Sequence, residues 1–201
     1  MMNGRVEQVR DTVMGLRPIY TEWGNVTELW LTSGDKLVDR RGIKSVVIAL
    51  ARSYALDLRA QRQQLGQFLQ RSGVLPFYLG SRVFVPLKMR KALTTNDMVY
   101  GYLDSEYLVD IKGGKYRGCL ASLSTGDNLQ ILSSQATAYQ SWSLGLSLRR
   151  NLQGDKAIHE DEELIAESVL ILCRNLREIA KRLERIEEHI AEAELSYETG
   201  N

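Results

Sequence analysis

The chain is poor in the residues that build metal centres and covalent cross-links. Its two cysteines, Cys119 and Cys173, stand far apart in a sequence of 201 residues. Two such thiols make no disulfide framework, and a structural zinc site needs His or Cys clusters that are absent. They read as small buried or half-buried side chains. The two histidines, His159 and His189, lie in or beside an acidic tail, where solvated roles fit better than ligation. No apolar run approaches the roughly 18 residues that span a bilayer. The N-terminus, Met1-Met2-Asn3-Gly4-Arg5-Val6-Glu7, has no apolar signal-peptide stretch. No glycine-rich loop has phosphate-cradling spacing, and Gly113-Gly114 reads as a turn. Asp104, Glu106 and Asp110 are the carboxylate cluster outside the tail, with no His or Cys nearby to complete a metal site. They read as solvated turn residues. These absences predict a cytoplasmic, non-enzymatic protein without a membrane span, metal or cofactor.

What is present is charge, unevenly placed. A hydrophobic content of 44% with 25% charged residues is globular, so a buried core is expected. The formal net charge of +1 conceals an excess of +8 over residues 1–150 and of −7 over residues 151–201. Between Arg40 and Lys91 there are eleven basic residues and one acidic residue, Asp57. A segment of that charge attracts polyanions, of which nucleic acid is the commonest inside cells. The other reading is a basic face that neutralises the protein's own acidic tail, or that docks an acidic protein.

Residues 18–39 read as a hairpin, with Val26, Leu29 and Leu31 apolar around Thr27, Trp30 and Thr32, Ser33-Gly34-Asp35 as the turn, and Leu37 and Val38 starting the return strand. Residues 43–55 are helical, with Val46, Val47, Leu50 and Tyr54 on one face. Asp57 suits the N-cap of a second helix over 58–71, its apolar face being Leu58, Leu65, Phe68 and Leu69, ended by Ser72-Gly73. From Val74 the period changes to two. Strands are expected at 82–88, interrupted at Pro86, then at 98–103, 107–111, 116–123 and 129–132, with tight turns that imply an antiparallel sheet. Ser134 caps a helix over 135–149 that faces the sheet through Ala138, Trp142 and Leu146, and residues 151–155 read as a linker.

The tail carries the strongest pattern. Ile165, Val169, Leu172, Leu176, Ile179, Leu183, Ile186 and Ile190 fall at spacings 4-3-4-3-4-3-4. A period of 3.5 marks a coiled-coil seam, whereas a helix folded back on its own domain drifts to 3.6. Leu-rich a and Ile-rich d positions favour three or four strands, so self-association from dimer to tetramer is expected. The expected fold is therefore α+β: an N-terminal hairpin with two helices over 1–73, an antiparallel β-sheet with one packed helix over 74–150, and a long C-terminal coiled-coil helix over 156–197.

Two segments suit nucleic acid. The first is a helix-turn-helix pattern at 43–71. It has Ala51, Ala55 where glycine is usual, and the Asp57 cap, but Gln61 stands where an apolar residue belongs. Its second helix would present Arg59, Arg62, Gln63 and Gln64, types that reach base edges and phosphates; an ordinary helical hairpin is the alternative. Arg40, Arg41 and Lys44 precede it. The second is the sheet region. Val83-Phe84-Val85-Pro86-Leu87, Tyr100-Gly101-Tyr102-Leu103, and Ser124-Thr125-Gly126-Asp127-Asn128-Leu129 followed by Ser133-Ser134 and a helix with Tyr139 and Trp142 resemble the competence transcription factor (ComK) family over residues 82–148. That resemblance implies a fold related to LytTR-type DNA-binding domains, and binding to AT-rich promoter DNA as an oligomer. Carried over residue by residue, it implies phosphate contacts at Lys88, Arg90 and Lys91, at Lys115 and Arg117, and at Arg149 and Arg150. The long N-terminus and the tail have no counterpart in the family. The expected function is an oligomeric DNA-binding transcriptional regulator that grips duplex DNA. The alternative is a non-enzymatic scaffold or assembly protein that takes an acidic protein partner on its basic face.

Overall fold

The computed structural model describes residues 2–95, 97–114 and 118–154. Ahead of the expected turn at Ser33-Gly34-Asp35 stands a further hairpin that the sequence does not announce. β2 (Val13–Thr21) and β3 (Gly24–Leu31) meet through the two-residue turn Glu22-Trp23, closed by Gly24 at φ +89°. β4 (Lys36–Asp39) returns after Ser33-Gly34-Asp35, and β1 (Met2–Asn3) lies parallel beside it. β5 (Phe77–Leu79), β6 (Arg82–Lys88) and β7 (Tyr100–Asp104) complete a seven-stranded sheet in the order β1-β4-β3-β2-β7-β6-β5. All its pairings except β1–β4 are antiparallel.

A second, three-stranded antiparallel sheet, ordered β10-β9-β8, follows from β8 (Leu108–Gly113), β9 (Cys119–Leu123) and β10 (Asn128–Ile131). The helices are α1 (Ile43–Ser53), α2 (Leu58–Leu69) and α3 (Gln135–Gly154). The class is α+β, as expected, with a mostly antiparallel arrangement divided between two sheets.

Both faces of the large sheet are covered. On one, Leu16, Leu29, Phe77, Phe84 and Tyr102 pack with Val46, Val47 and Leu50 of α1. On the other, Met14, Trp30, Val83, Val85, Leu87 and Leu103 pack with Ile111, Ala121 and Ile131 of the small sheet and Ala138 and Leu148 of α3. Strand β6 is thus buried on both sides, which explains its unbroken apolar run. Pro86 does not interrupt it. It pairs with Tyr102 on β7, while β5 extends only as far as Phe84, so no ladder is lost on that flank. Polar ties join the layers. Lys36 Nζ meets Asp127 Oδ1 at 2.9 Å, the Leu132 amide donates to the Lys88 carbonyl at 2.7 Å, and Trp142 Nε1 donates to the Ser105 carbonyl at 3.0 Å.

Four expectations change. Residues on both sides of position 73 share one sheet through the β2–β7 pairing, and 1–153 make up one compact unit, so no domain boundary falls at 73. Residues 151–154 continue α3 and are not linker. On α2, Phe68 is 70% exposed, and the buried place on that face belongs to Gln61. The helix ends at Leu69, with Gln70 in the left-handed region at φ 49°. The expected coiled coil at 156–197 lies outside the described residues. Among the described residues, no helix is long and apolar enough to cross a membrane.

Candidate nucleic-acid interface

Strand directions bring the basic residues together. β2 ends, β3 begins, β4 ends, β6 ends and β7 begins at the same end of the large sheet, as the pairings Thr21–Gly24, Thr27–Asp39 and Lys88–Tyr100 require. That end therefore carries Arg40 after β4, Lys44 in the first turn of α1, Lys88 at the end of β6, and Arg90 and Lys91 just beyond it. The sequence separates these residues by up to 51 positions. Lys44, Lys88 and Lys91 form no ion pair among the described residues.

Two exposed aromatic rings interleave with these charges. The Arg40 guanidinium carbon lies 4.9 Å from the ring centre of Trp23, which is 57% exposed at the hairpin turn. The Arg90 guanidinium carbon lies 4.0 Å from the ring centre of Tyr20. Cation–π stacking fixes both arginines against the sheet end without neutralising them. Arg90 Nε also donates to the Met98 carbonyl at 2.9 Å. The Tyr20 hydroxyl donates to Asp97, whose carboxylate also accepts from the amides of Leu93 at 2.7 Å and Thr94 at 2.8 Å. These bonds, that from Tyr20 first, hold the Asp97 carboxyl well below the usual range. Desolvation and the bond to Asp97 raise the Tyr20 phenol. The loop after β6 is thereby pinned, and it presents Lys91 and the exposed Leu93 beside the basic residues.

Two grooves run through this end. One, of about 120 Å³, is lined by Pro18, Asn25, Lys44, Arg90 and Met98 with the start of α1. The other, of about 600 Å³, is lined by Lys88, Lys91, Val99 and Gln130. Arg5, also exposed, lines a third with Arg40 and Arg41.

Other basic positions expected at the interface lie elsewhere in the fold. Arg41 is half-buried and tied to two carboxylates. Its Nε donates to Asp39 Oδ1 at 2.9 Å, and Nη1 and Nη2 donate to the two oxygens of Glu7 at 2.8 and 2.6 Å. Burial alone would raise the Asp39 carboxyl, but bonds from the Arg41 side chain and from the Arg41 and Val6 amides outweigh it and hold Asp39 below its ordinary value. Arg149 pairs with Glu106 at 2.8 Å, at the far end of β7, and Arg150 is exposed on α3. Arg59 and Arg62 stand apart on α2, where Arg62 Nη2 comes within 3.5 Å of the Tyr102 hydroxyl. Lys115 and Arg117, like the seam residues Ile165 to Ile190, lie outside the described residues.

The helix-turn-helix reading changes as well. Ala55 does adopt the left-handed conformation, φ 53°, that glycine favours in such turns. However, α1 packs on β2 and β3, whereas α2 lies along β5. Gln61 is buried because its amide completes that edge strand. Asp104 is no solvated turn residue: it is fully buried and receives Arg82 Nε at 2.9 Å. Asp104 and Glu106 thus answer to different arginines, and no metal-binding cluster forms among the described residues. Cys119 is buried, and burial pushes its thiol upward. Sequence reasoning missed Tyr20, Trp23 and Arg5. The available signal was Glu22-Trp23-Gly24, a large aromatic at a turn position where it has no core face to fill.

Comparison of the chain with protein-family models, with curated proteins and with solved structures finds no match.

Proposed function

We propose that this protein is a non-enzymatic DNA-binding regulator that grips the phosphate backbone with one end of its large sheet. The observation that carries the reading is the convergence of Arg40, Lys44, Lys88, Arg90 and Lys91 on that end, with Tyr20 and Trp23 between them. Unpaired lysines give affinity without sequence choice, because they read phosphate and not base edges. The likeness of residues 82–148 to the competence-factor family supports the same reading. The heptad seam supports a multimer, in which weak phosphate contacts multiply along one duplex.

Binding of a labelled duplex, followed by fluorescence anisotropy across a salt series, tests this. The wild type binds at low salt with a steep salt dependence. The triple variant Lys44→Ala, Lys88→Ala, Lys91→Ala binds more weakly, and its log–log salt slope is shallower by about 0.9 for each phosphate that it no longer neutralises. No binding at low salt, or a triple variant that matches the wild type, refutes the proposal. Co-purification of an acidic protein on the same lysines would instead support the scaffold reading. In the full-length chain, Leu176→Asp with Leu183→Asp lowers the mass measured by light scattering, and an unchanged mass refutes the seam.

A further inference from the structure

We infer that Trp23 is a stacking platform for an unpaired base, so that the preferred substrate of this interface is DNA containing a single-stranded segment. The inference rests on the proposed DNA grip and names its substrate. Position 23 is the second residue of a two-residue hairpin turn, where turn geometry favours small polar residues or glycine. A tryptophan there is not demanded by the turn and does not contribute to either core cluster. The residue is 57% exposed, the largest exposure of any aromatic in the described residues except Phe68. Its backbone is nonetheless braced, since the Trp23 amide donates to Thr21 Oγ1 at 3.2 Å.

Charge placement argues for nucleic acid as the occupant. The Arg40 guanidinium covers part of the ring, and Arg5 and Arg41 share a groove with Arg40. Because Arg41 is committed to Asp39 and Glu7, Arg40 and Arg5 are the cations left to meet a phosphate there. A base stacked on the indole then places its own backbone beside Arg40, which shares a groove with Arg5. In a continuous duplex both faces of each base are covered by its neighbours, so an indole at a narrow hairpin tip has no face to stack on. An unpaired base presents one, and base–aromatic stacking accepts any base. The lysines at 88 and 91 contribute to either substrate, since phosphate is common to both.

The test compares labelled oligothymidylate with a blunt duplex of the same length, using the full-length protein. The wild type binds the oligothymidylate more tightly, and Trp23→Ala weakens that binding about tenfold more than it weakens duplex binding. Trp23→Phe, which keeps a ring, falls between. Tryptophan fluorescence excited selectively is quenched by oligothymidylate in the wild type, and the quench is lost in Trp23→Phe. A duplex preference in the wild type, or equal losses on both substrates in Trp23→Ala, overturns the inference while leaving the DNA grip standing. Failure of the wild type to bind either substrate overturns both.

Discussion

Gln61 and Tyr78 exchange two hydrogen bonds, the Tyr78 amide donating to Gln61 Oε1 and Gln61 Nε2 donating to the Tyr78 carbonyl, each at 3.0 Å. The side-chain amide thus takes the place of a neighbouring strand along β5, the last strand of the large sheet. An open edge presents unpaired amides and carbonyls and invites pairing with another chain. Here a helix closes it. Gln61→Ala leaves both Tyr78 groups without their partner and lowers stability by about 2 kcal/mol. Urea unfolding measures the loss; a midpoint equal to that of the wild type contradicts the role.

Arg82 and Asp104 form the most deeply placed ion pair. Arg82 donates through Nε to Asp104, through Nη1 to the Arg10 carbonyl at 3.1 Å and through Nη2 to the Val13 carbonyl, so one side chain ties β6, β7 and the start of β2. Burial raises the Asp104 carboxyl above its ordinary range, against the pull of Arg82. A carboxyl raised in the folded state holds its proton more tightly folded than unfolded. Its contribution to stability therefore declines as pH rises from about 3.9 through the raised value. Removing Arg82 enlarges that rise. Arg82→Met costs about 3 kcal/mol at pH 7, and the deficit shrinks as the pH is lowered towards 4. Denaturation at the two pH values checks this, and a deficit independent of pH counts against it.

Adjacent arginines have opposite fates. Arg41 holds a buried carboxylate, Asp39, which is 2% exposed, whereas Arg40 points to solvent over Trp23. Arg41→Met strands Asp39 and costs about 3 kcal/mol at neutral pH. Asp39 and Glu7 are both held below their ordinary values, Glu7 chiefly by its bond from Arg41. Their stabilisation is complete above the ordinary carboxylate pKa of about 4 and is lost as pH falls through the lowered values, so the deficit of Arg41→Met narrows in acid. Arg40→Ala changes stability by no more than about 0.5 kcal/mol and weakens DNA binding. Thermal melts of the two variants side by side decide the matter; equal losses would show that the two arginines have not been told apart.

Two glycines allow close packing. A Cβ on Gly145 of α3 would fall inside contact distance of Val85 and stand 3.0 Å from the Ser105 Cβ. A Cβ on Gly101 of β7 would collide with Met89 Sδ and with the backbone carbonyl of Leu16. Gly145→Ala displaces α3 from the sheet and costs about 2 kcal/mol, within the usual range for overpacking. Gly101→Ala costs more, because a strand carbonyl yields less readily than a side chain. Chemical denaturation ranks the two, and the reverse order would refute the explanation.

What the sequence determined by itself is local. The stripe of Val46, Val47 and Leu50 specifies α1, Asp57 caps α2 by accepting from the Arg59 amide at 2.8 Å, and Ser33-Gly34-Asp35 turns the chain into β4. Ser134 likewise starts α3, accepting from the Thr137 amide at 3.2 Å. Each of these depends on residues within a few positions of one another, so a pattern of period and capping is enough to read it. The tertiary structure decided which strands share a sheet, and with that nearly everything about the candidate site. The pairing of Leu16 with Tyr102 erases the boundary drawn at 73 and gives β6 two buried faces. It also brings Lys44, Lys88 and Arg90 to the end of the sheet where Tyr20 and Trp23 stand. Burial of Gln61 and Asp104, and capture of Arg41 by Glu7, follow from partners 17, 22 and 34 positions away. The same residue type can therefore be a surface charge at Arg40 and a structural brace at Arg41. Local sequence registers the charge, but only the folded neighbours determine whether it is already paired.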